Sequence, residues 1–260
     1  GIDKASARKA LGIDDHFTIV SVGGSLGATA INKMAADLMA WHAPKGEINH
    51  FHGYGKNGRE RFPKMLRERG LDLSKYPRIK AMEFIDQMHL YLAAADLVIS
   101  RAGAITISEL EAVGAPSILV PYPYAAENHQ YHNGMVLQNA GAALVVEEKD
   151  YQKEWLIGEV EQFVRDPGRV KAFSENARKL AVTLSRYVTK TPAGIGLGIP
   201  ETMEMALQEC GTLRILFAAF CSVIGKILGR KGWCDIVAGP KARGIDGPTE
   251  GTIPPYDHYV

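Results

Sequence analysis

At 260 residues, 46% of them hydrophobic, the chain can bury one good core and part of a second. A formal net charge of +1 and the lack of any long basic run exclude a nucleic-acid-binding role carried by charge. Cys210, Cys221 and Cys234 all fall in the last quarter without paired metal-ligand spacing, so they read as thiols of a reducing cytosol rather than a disulfide framework. The first residues hold no succession of basic, apolar and small residues, so no signal peptide is expected. The longest apolar run, residues 215–225, is too short to span a bilayer, which leaves peripheral contact as the expected mode of any membrane association.

In chain order, residues 4–11 read as a short helix capped by Asp3. Residues 18–22 are a buried strand, and Gly23-Gly24-Ser25-Leu26-Gly27-Ala28 leads from it into a helix over about 30–40. Glycines after a strand let backbone N–H groups turn toward a phosphate, with the helix start adding favourable partial charge; a purely structural turn accounts for the same residues. Strands are predicted at 48–52 and 79–83 with a helix over about 57–69 between them. His50 and His52 alternate on the first of these, but no third ligand follows at metal-binding spacing, and no metal is expected. Phe84-Ile85-Asp86-Gln87-Met88 closes the third strand and starts a helix to about residue 95.

Residues 96–133 carry the densest chemistry. An apolar run at 97–100 has the length and β-branched character of a buried strand. Arg101-Ala102-Gly103-Ala104 follows as a small, permissive turn, and residues 105–113 repeat apolar positions at helical spacing. Ligands of open α/β sheets bind at that edge, and free N–H groups at a helix start favour anionic or hydroxyl-rich groups. Glu109 lies about one turn into the helix, where a carboxylate can accept from the two hydroxyls of a ribose or can simply be solvated. A strand over 117–120 ends in Pro121-Tyr122-Pro123-Tyr124, which cannot continue a central strand. His129, Gln130 and Asn133 then open another helix with groups suited to sugar hydroxyls.

A sixth strand at 142–146 and two closing helices, 151–164 and 167 to about 184, complete six alternations. These predict an α/β fold with a Rossmann-like, doubly wound, mostly parallel sheet and a site where the strand order reverses. Beyond about residue 184 the chain turns rich in Gly and Pro, with helices expected at 201–210 and 213–228 in an irregular appendage. The glycines at 194–198 follow no clear strand and read as a structural turn.

RAGAITISEL followed by VPYPYAAENHQYHN closely resembles the donor-binding half of the glycosyltransferases that add N-acetylglucosamine to undecaprenyl-linked muramoyl-pentapeptide in bacterial peptidoglycan synthesis. The resemblance covers roughly residues 1–180. It implies one half of a glycosyltransferase-B architecture, UDP-N-acetylglucosamine as donor, inversion at the anomeric carbon and no cofactor. In its terms GGSxGA faces the diphosphate, which assigns Gly23, Gly24, Ser25 and Ala28 to that group. Ile85 and Met88 take the uracil edge, with the Ile85 backbone pairing with the base; Gly103, Ala104 and Ile105 lie against the nucleotide; Glu109 holds the ribose; His129, Gln130 and Asn133 lie near the sugar. Ala102 stands where the family often has serine, which keeps the turn small.

The family's other domain binds the lipid acceptor and supplies a histidine from a Gly-rich loop as base. No HxGGTGGH-like stretch is present here and His16 has the wrong context, so no catalytic residue is assigned. The acceptor would be reached only through that other half, at the inner face of the membrane, and little transfer is expected of this chain alone. A second resemblance, through SRYVTKTPAGIGLGIPETMEMAL and DGPTEGTIPPYDHYV, is to proteins related to the γ-glutamyl ligase of deazaflavin coenzyme biosynthesis. The expected domains are therefore 1–184, binding the donor sugar nucleotide, and 185–260, a partial ligase-like segment. Two other functions stay open: a binding-only or inactive fusion fragment, and a nucleotide-dependent ligase centred on the tail.

Overall fold

The computed structural model describes residues 2–189; the tail helices, the Gly-rich stretch, the three cysteines and most of the ligase-like resemblance lie outside them. Helix α1 (Lys4–Leu11) begins where the Asp3 carboxylate accepts the Ser6 N–H at 2.9 Å and ends at Gly12 in the left-handed conformation. There follow β1 (Phe17–Val22), α2 (Thr29–His42), β2 (Ile48–Gly53), α3 (Arg61–Glu68), β3 (Ile79–Met82), α4 (Met88–Ala94) and β4 (Leu97–Ser100). The chain continues through α5 (Ala104–Val113), β5 (Ser117–Leu119), α6 (His129–Asn139), β6 (Ala143–Val145), α7 (Lys153–Arg165) and α8 (Pro167–Thr189). Helix α8 thus runs past residue 184 without a break.

All six strands are parallel, in the order β3-β2-β1-β4-β5-β6. The chain winds outward from β1 to β3, then returns to place β4 on the other side of β1. The order therefore reverses between β1 and β4, whose ends are paired at Val22 and Ser100. This is the expected doubly wound α/β sheet, and its reversal lies between the two strands whose turns carry the candidate residues.

Alternation along β1 assigns the layers. Ile19 packs with Ile31, Met34 and Leu38 of α2 and with Leu156, Val160 and Phe163 of α7, all nearly inaccessible to solvent. Thr18 points the other way, and its hydroxyl meets Arg8 of α1. Asp96 fixes α1 there, accepting from Lys4 Nζ at 2.7 Å, from the Arg8 guanidinium at 2.6 Å and from the Thr18 N–H at 2.8 Å. Beside the α2 layer, Phe62 and Leu66 of α3 close a second cluster with Ala35, Ala36 and Met39. The helix expected over 57–69 is divided: a 3-10 turn, Lys56–Gly58, precedes α3. Gly58 sits too close to Asn32 and Tyr54 for any side chain, which gives the turn a tertiary cause that helical periodicity does not record.

One charge is held at a cost. Glu111 of α5 is 3% exposed with no ion-pair or hydrogen-bond partner among the described residues, and burial pushes its pKa up to about 7. Above that pH the folded state keeps a buried carboxylate that the unfolded chain would hydrate. As pH falls, the folded state binds a proton that the unfolded state does not yet bind, and stability rises. Glu111→Gln is therefore expected to raise stability at pH 8 by roughly 3 kcal/mol, an advantage that shrinks to nothing by about pH 4, as read by urea denaturation across that range.

Candidate functional site

The carboxyl ends of the parallel strands form one edge, and the candidate residues lie along it. β1 ends at Val22, and the loop from Gly23 to Ala28 leads into α2, whose first residue has no side-chain cap. Within that loop the Gly27 N–H closes a turn on the Gly24 carbonyl at 3.0 Å. The N–H groups of Gly23, Gly24, Ser25, Leu26 and Ala28 donate to no described group, nor do those of Thr29, Ala30 and Ile31 in the first turn of α2. A row of unpaired N–H groups at a helix start is an anion site by electrostatics alone.

A second loop clamps the first. After β2, Lys56 N–H donates to Ser25 C=O at 3.0 Å and Asn57 N–H donates to Leu26 C=O at 2.9 Å. The two backbones touch where neither carries a side chain: a Cβ on Gly27 would lie 2.1 Å from the Tyr54 oxygen, and one on Gly55 would lie 2.2 Å from Gly27 N. Both residues also have φ near the left-handed region, at +81° and +69°. Tyr54 and Gly55 are themselves pinned by N–H bonds to the Met82 and Glu83 carbonyls, each 3.0 Å.

Between these loops and the start of α4 is a cleft of about 220 Å³ lined by Val22, Gly24, Ser25, Gly53, Glu83, Phe84, Ile85 and Met88. It unites Gly24, Ser25, Ile85 and Met88 of the expected set. The backbone N–H and C=O of Ile85 are engaged by no described group, while its side chain is buried. A larger groove of about 390 Å³ lies elsewhere, between α6 and α7, and contains no candidate residue.

The neighbouring strand repeats the first motif. β4 leads through Arg101–Gly103 into α5, again without a side-chain cap, and the first-turn N–H groups of Ala104, Ile105 and Thr106 have no described partner. Two uncapped helix starts therefore follow strands that are neighbours in the sheet, the strands themselves lying about 5 Å apart in its hydrogen-bonding direction. Glu109, one turn into α5, is half-buried, has no described partner, and burial raises its pKa.

The Glycosyltransferase family 28 C-terminal domain model matches residues 18–186. This chain belongs to that family. Similar proteins include a UDP-N-acetylglucosamine--N-acetylmuramyl-(pentapeptide) pyrophosphoryl-undecaprenol N-acetylglucosamine transferase of Desulforamulus reducens, 36% identical over 167 residues, which are 64% of this chain and 45% of the relative. The transferase of the same name from Acetivibrio thermocellus is 37% identical over 183 residues, 70% of this chain and 48% of the relative. The chain thus spans about half the length of the curated relatives it matches. Among solved structures, MurG of Acinetobacter baumannii superposes with a TM-score of 0.55 at 28% identity, covering 65% of this chain and 48% of MurG. The fold is accordingly one half of a glycosyltransferase-B architecture.

In this family 28 domain the α6 residues divide. His129 Nδ1 donates to the Ala126 carbonyl at 2.8 Å, leaving Nε2 without a described partner, and Gln130 accepts the Tyr122 N–H at 3.0 Å. Asn133 is inaccessible to solvent; its amide donates to Ala102 C=O at 3.1 Å, and its Oδ1 has no partner. It supports the Arg101–Gly103 turn from behind. Glu127 and Asn128, just before α6, both hold positive φ, at 50° and 53°.

Sequence reasoning missed two elements. Arg101, read only as part of a small turn, donates to the Val120 and Pro121 carbonyls at 3.1 Å each and pairs with Glu148 at 2.6 Å, tying β4, β5 and the segment after β6 together. The Tyr54–Gly55 clamp was signalled only by the glycines of Gly53-Tyr54-Gly55. If that clamp positions the loop, Gly55→Ala destabilises by more than about 2 kcal/mol, since it adds a backbone clash to strain at positive φ. Gly70→Ala, at φ +67° with open space around it, should cost only about 1 kcal/mol. Paired urea denaturation curves check the difference.

Proposed function

We propose that this domain binds UDP-N-acetylglucosamine and is the donor half of a transferase that moves N-acetylglucosamine to lipid-linked muramoyl-pentapeptide. The observation that carries the reading is the pair of uncapped helix starts at the reversal between β1 and β4, with a half-buried, unpaired Glu109 beside one of them. The names of the relatives from Desulforamulus reducens and Acetivibrio thermocellus support the choice of sugar and acceptor.

In this reading the N–H groups at Gly23, Gly24, Ser25 and Ala28, with those at Gly103, Ala104 and Ile105, face the diphosphate. As the bond to the anomeric carbon breaks, negative charge grows on the departing UDP, and donors already aimed at it stabilise that state more than the ground state. The sugar side develops oxocarbenium character, as in glycoside hydrolysis. Uracil enters the cleft of Ile85 and Met88 and pairs with the free Ile85 backbone. Glu109 accepts from the ribose hydroxyls, and His129 and Gln130 reach the sugar. The acceptor and the base come from the other half of the complete enzyme, which works peripherally at the inner membrane face. Among the described residues no helix is long and apolar enough to cross a membrane. The domain division at 1–184 and 185–260 is part of the same proposal.

Calorimetric titration of the chain tests it. UDP and UDP-N-acetylglucosamine should bind selectively over ATP and GTP. Glu109→Ala should weaken UDP about tenfold or more, as loss of charge-assisted hydrogen bonds does. 2′-Deoxy-UDP should bind the variant no worse than UDP does. Equal binding of all four nucleotides, or unchanged UDP affinity in Glu109→Ala, would contradict the assignment.

A further inference from the structure

Behind the clamped loops runs a line of buried polar side chains that contact no ligand surface: His42 and Asn32 on α2, His50 and His52 on β2, and Ser21 on β1, none more than 3% exposed. Parallel pairing sets Ser21 opposite His52, so one hydroxyl serves both histidines of β2. His42 Nε2 lies 3.0 Å from His50 Nδ1, and His50 Nε2 lies 2.9 Å from Ser21 Oγ. Ser21 Oγ is 2.8 Å from His52 Nδ1, and His52 Nε2 is 3.2 Å from Asn32 Oδ1. Asn32 Nδ2 ends the line on the Tyr54 carbonyl at 3.1 Å.

A carbonyl only accepts, so Asn32 presents its NH₂ to Tyr54 and its Oδ1 to His52, and that Oδ1 is paired when His52 Nε2 carries the proton; His52 Nδ1 faces a second acceptor, the Ser21 carbonyl at 3.0 Å, which is paired only in the other tautomer. Burial lowers the pKa of His52 to about 3 and of His42 to about 4, and that of His50 well below its ordinary value, so each ring is neutral with one N–H. With the proton on Nε2, His52 Nδ1 accepts the Ser21 hydroxyl hydrogen. Ser21 accepts from His50 Nε2–H, and His50 accepts from His42 Nε2–H. At the far end His42 Nδ1 is without a partner. With Nε2–H on all three rings it is a bare lone pair.

We infer that this chain positions the diphosphate-facing loop through the Tyr54 carbonyl, with Asn32 and His52 as its positioning residues. The Tyr54 oxygen occupies the space where a Cβ on Gly27 would be, and the residues just after it hold Ser25 and Leu26. Where Asn32 sets that carbonyl, it sets the direction of the free N–H groups from Gly23 to Ala28. The inference rests on the reading of that loop as the diphosphate site.

The test uses the full chain and three variants, His52→Gln, His52→Leu and Asn32→Leu. Without ligand, ¹⁵N NMR of the imidazoles should find Nε2–H on His52, His50 and His42, and the Gly27 and Gly55 amide resonances should move in both Leu variants. With ligand, those variants should lose about tenfold in UDP affinity, the effect of one lost buried partner, and keep their affinity for uridine, which lacks the phosphates. His52→Gln, whose side-chain amide can replace the imidazole Nε2–H, should restore the UDP-to-uridine ratio. A proton on His52 Nδ1 in the unsubstituted chain would overturn the inference. So would Leu variants that melt lower yet leave that ratio and the glycine resonances unchanged. Failure of the unsubstituted chain to bind UDP would instead refute the donor-site reading, and the ligand-free resonances would still decide the relay.

Discussion

The site depends on a backbone-to-backbone contact. Gly27 and Gly55 let two loops from adjacent strands close to a distance that no side chain permits, and the resulting bonds to Ser25 and Leu26 hold the first loop with its N–H groups unspent. A loop left to itself would turn those donors to water or to its own carbonyls. Here the carbonyls are occupied by the second loop, so the donors face outward. The cost of the left-handed backbone is offset by the clamp, and the clamp is in turn held to β3 and α2.

The rest of the fold explains why the donors gather at one place. A parallel sheet points every strand's carboxyl end the same way, and winding from β1 in both directions leaves adjacent ends from which two helices depart without caps. The uncapped starts concentrate partial positive charge, while the one candidate carboxylate beside them, Glu109, stays half-buried and unpaired. Arg101 serves the same site from the frame: its charge is spent on Glu148 and two carbonyls, which fixes the ends of β4 and β5 and leaves the helix starts as the local attraction for an anion.

Much of this was legible because the signals were local. Asp3 caps α1 as its place before the helical pattern implies, and β4 coincides with the apolar run at 97–100 because buried parallel strands need little else. The family resemblance proposes roles that spacing leaves open, such as Glu109 as a ribose ligand rather than a solvated residue. What stayed hidden required partners far along the chain. His50 and His52 read as a weak metal signal because their alternation is visible and their partners are not. Ser21 lies some thirty residues upstream, and the sheet pairing that brings it across is tertiary. That the packing of α6 turns the Asn133 amide onto Ala102 was likewise hidden, because the residue type alone names no partner.

The central claim is that the loop from Gly23 to Ala28, beside the start of α5, takes the diphosphate of a uridine nucleotide. A crystal structure of the chain with UDP bound tests it most directly. The account predicts phosphate oxygens within hydrogen-bond distance of N–H groups between Gly23 and Ala28, the base against Ile85, and the ribose hydroxyls on Glu109. UDP seated in the groove between α6 and α7, with the loop donors still facing solvent, would contradict it.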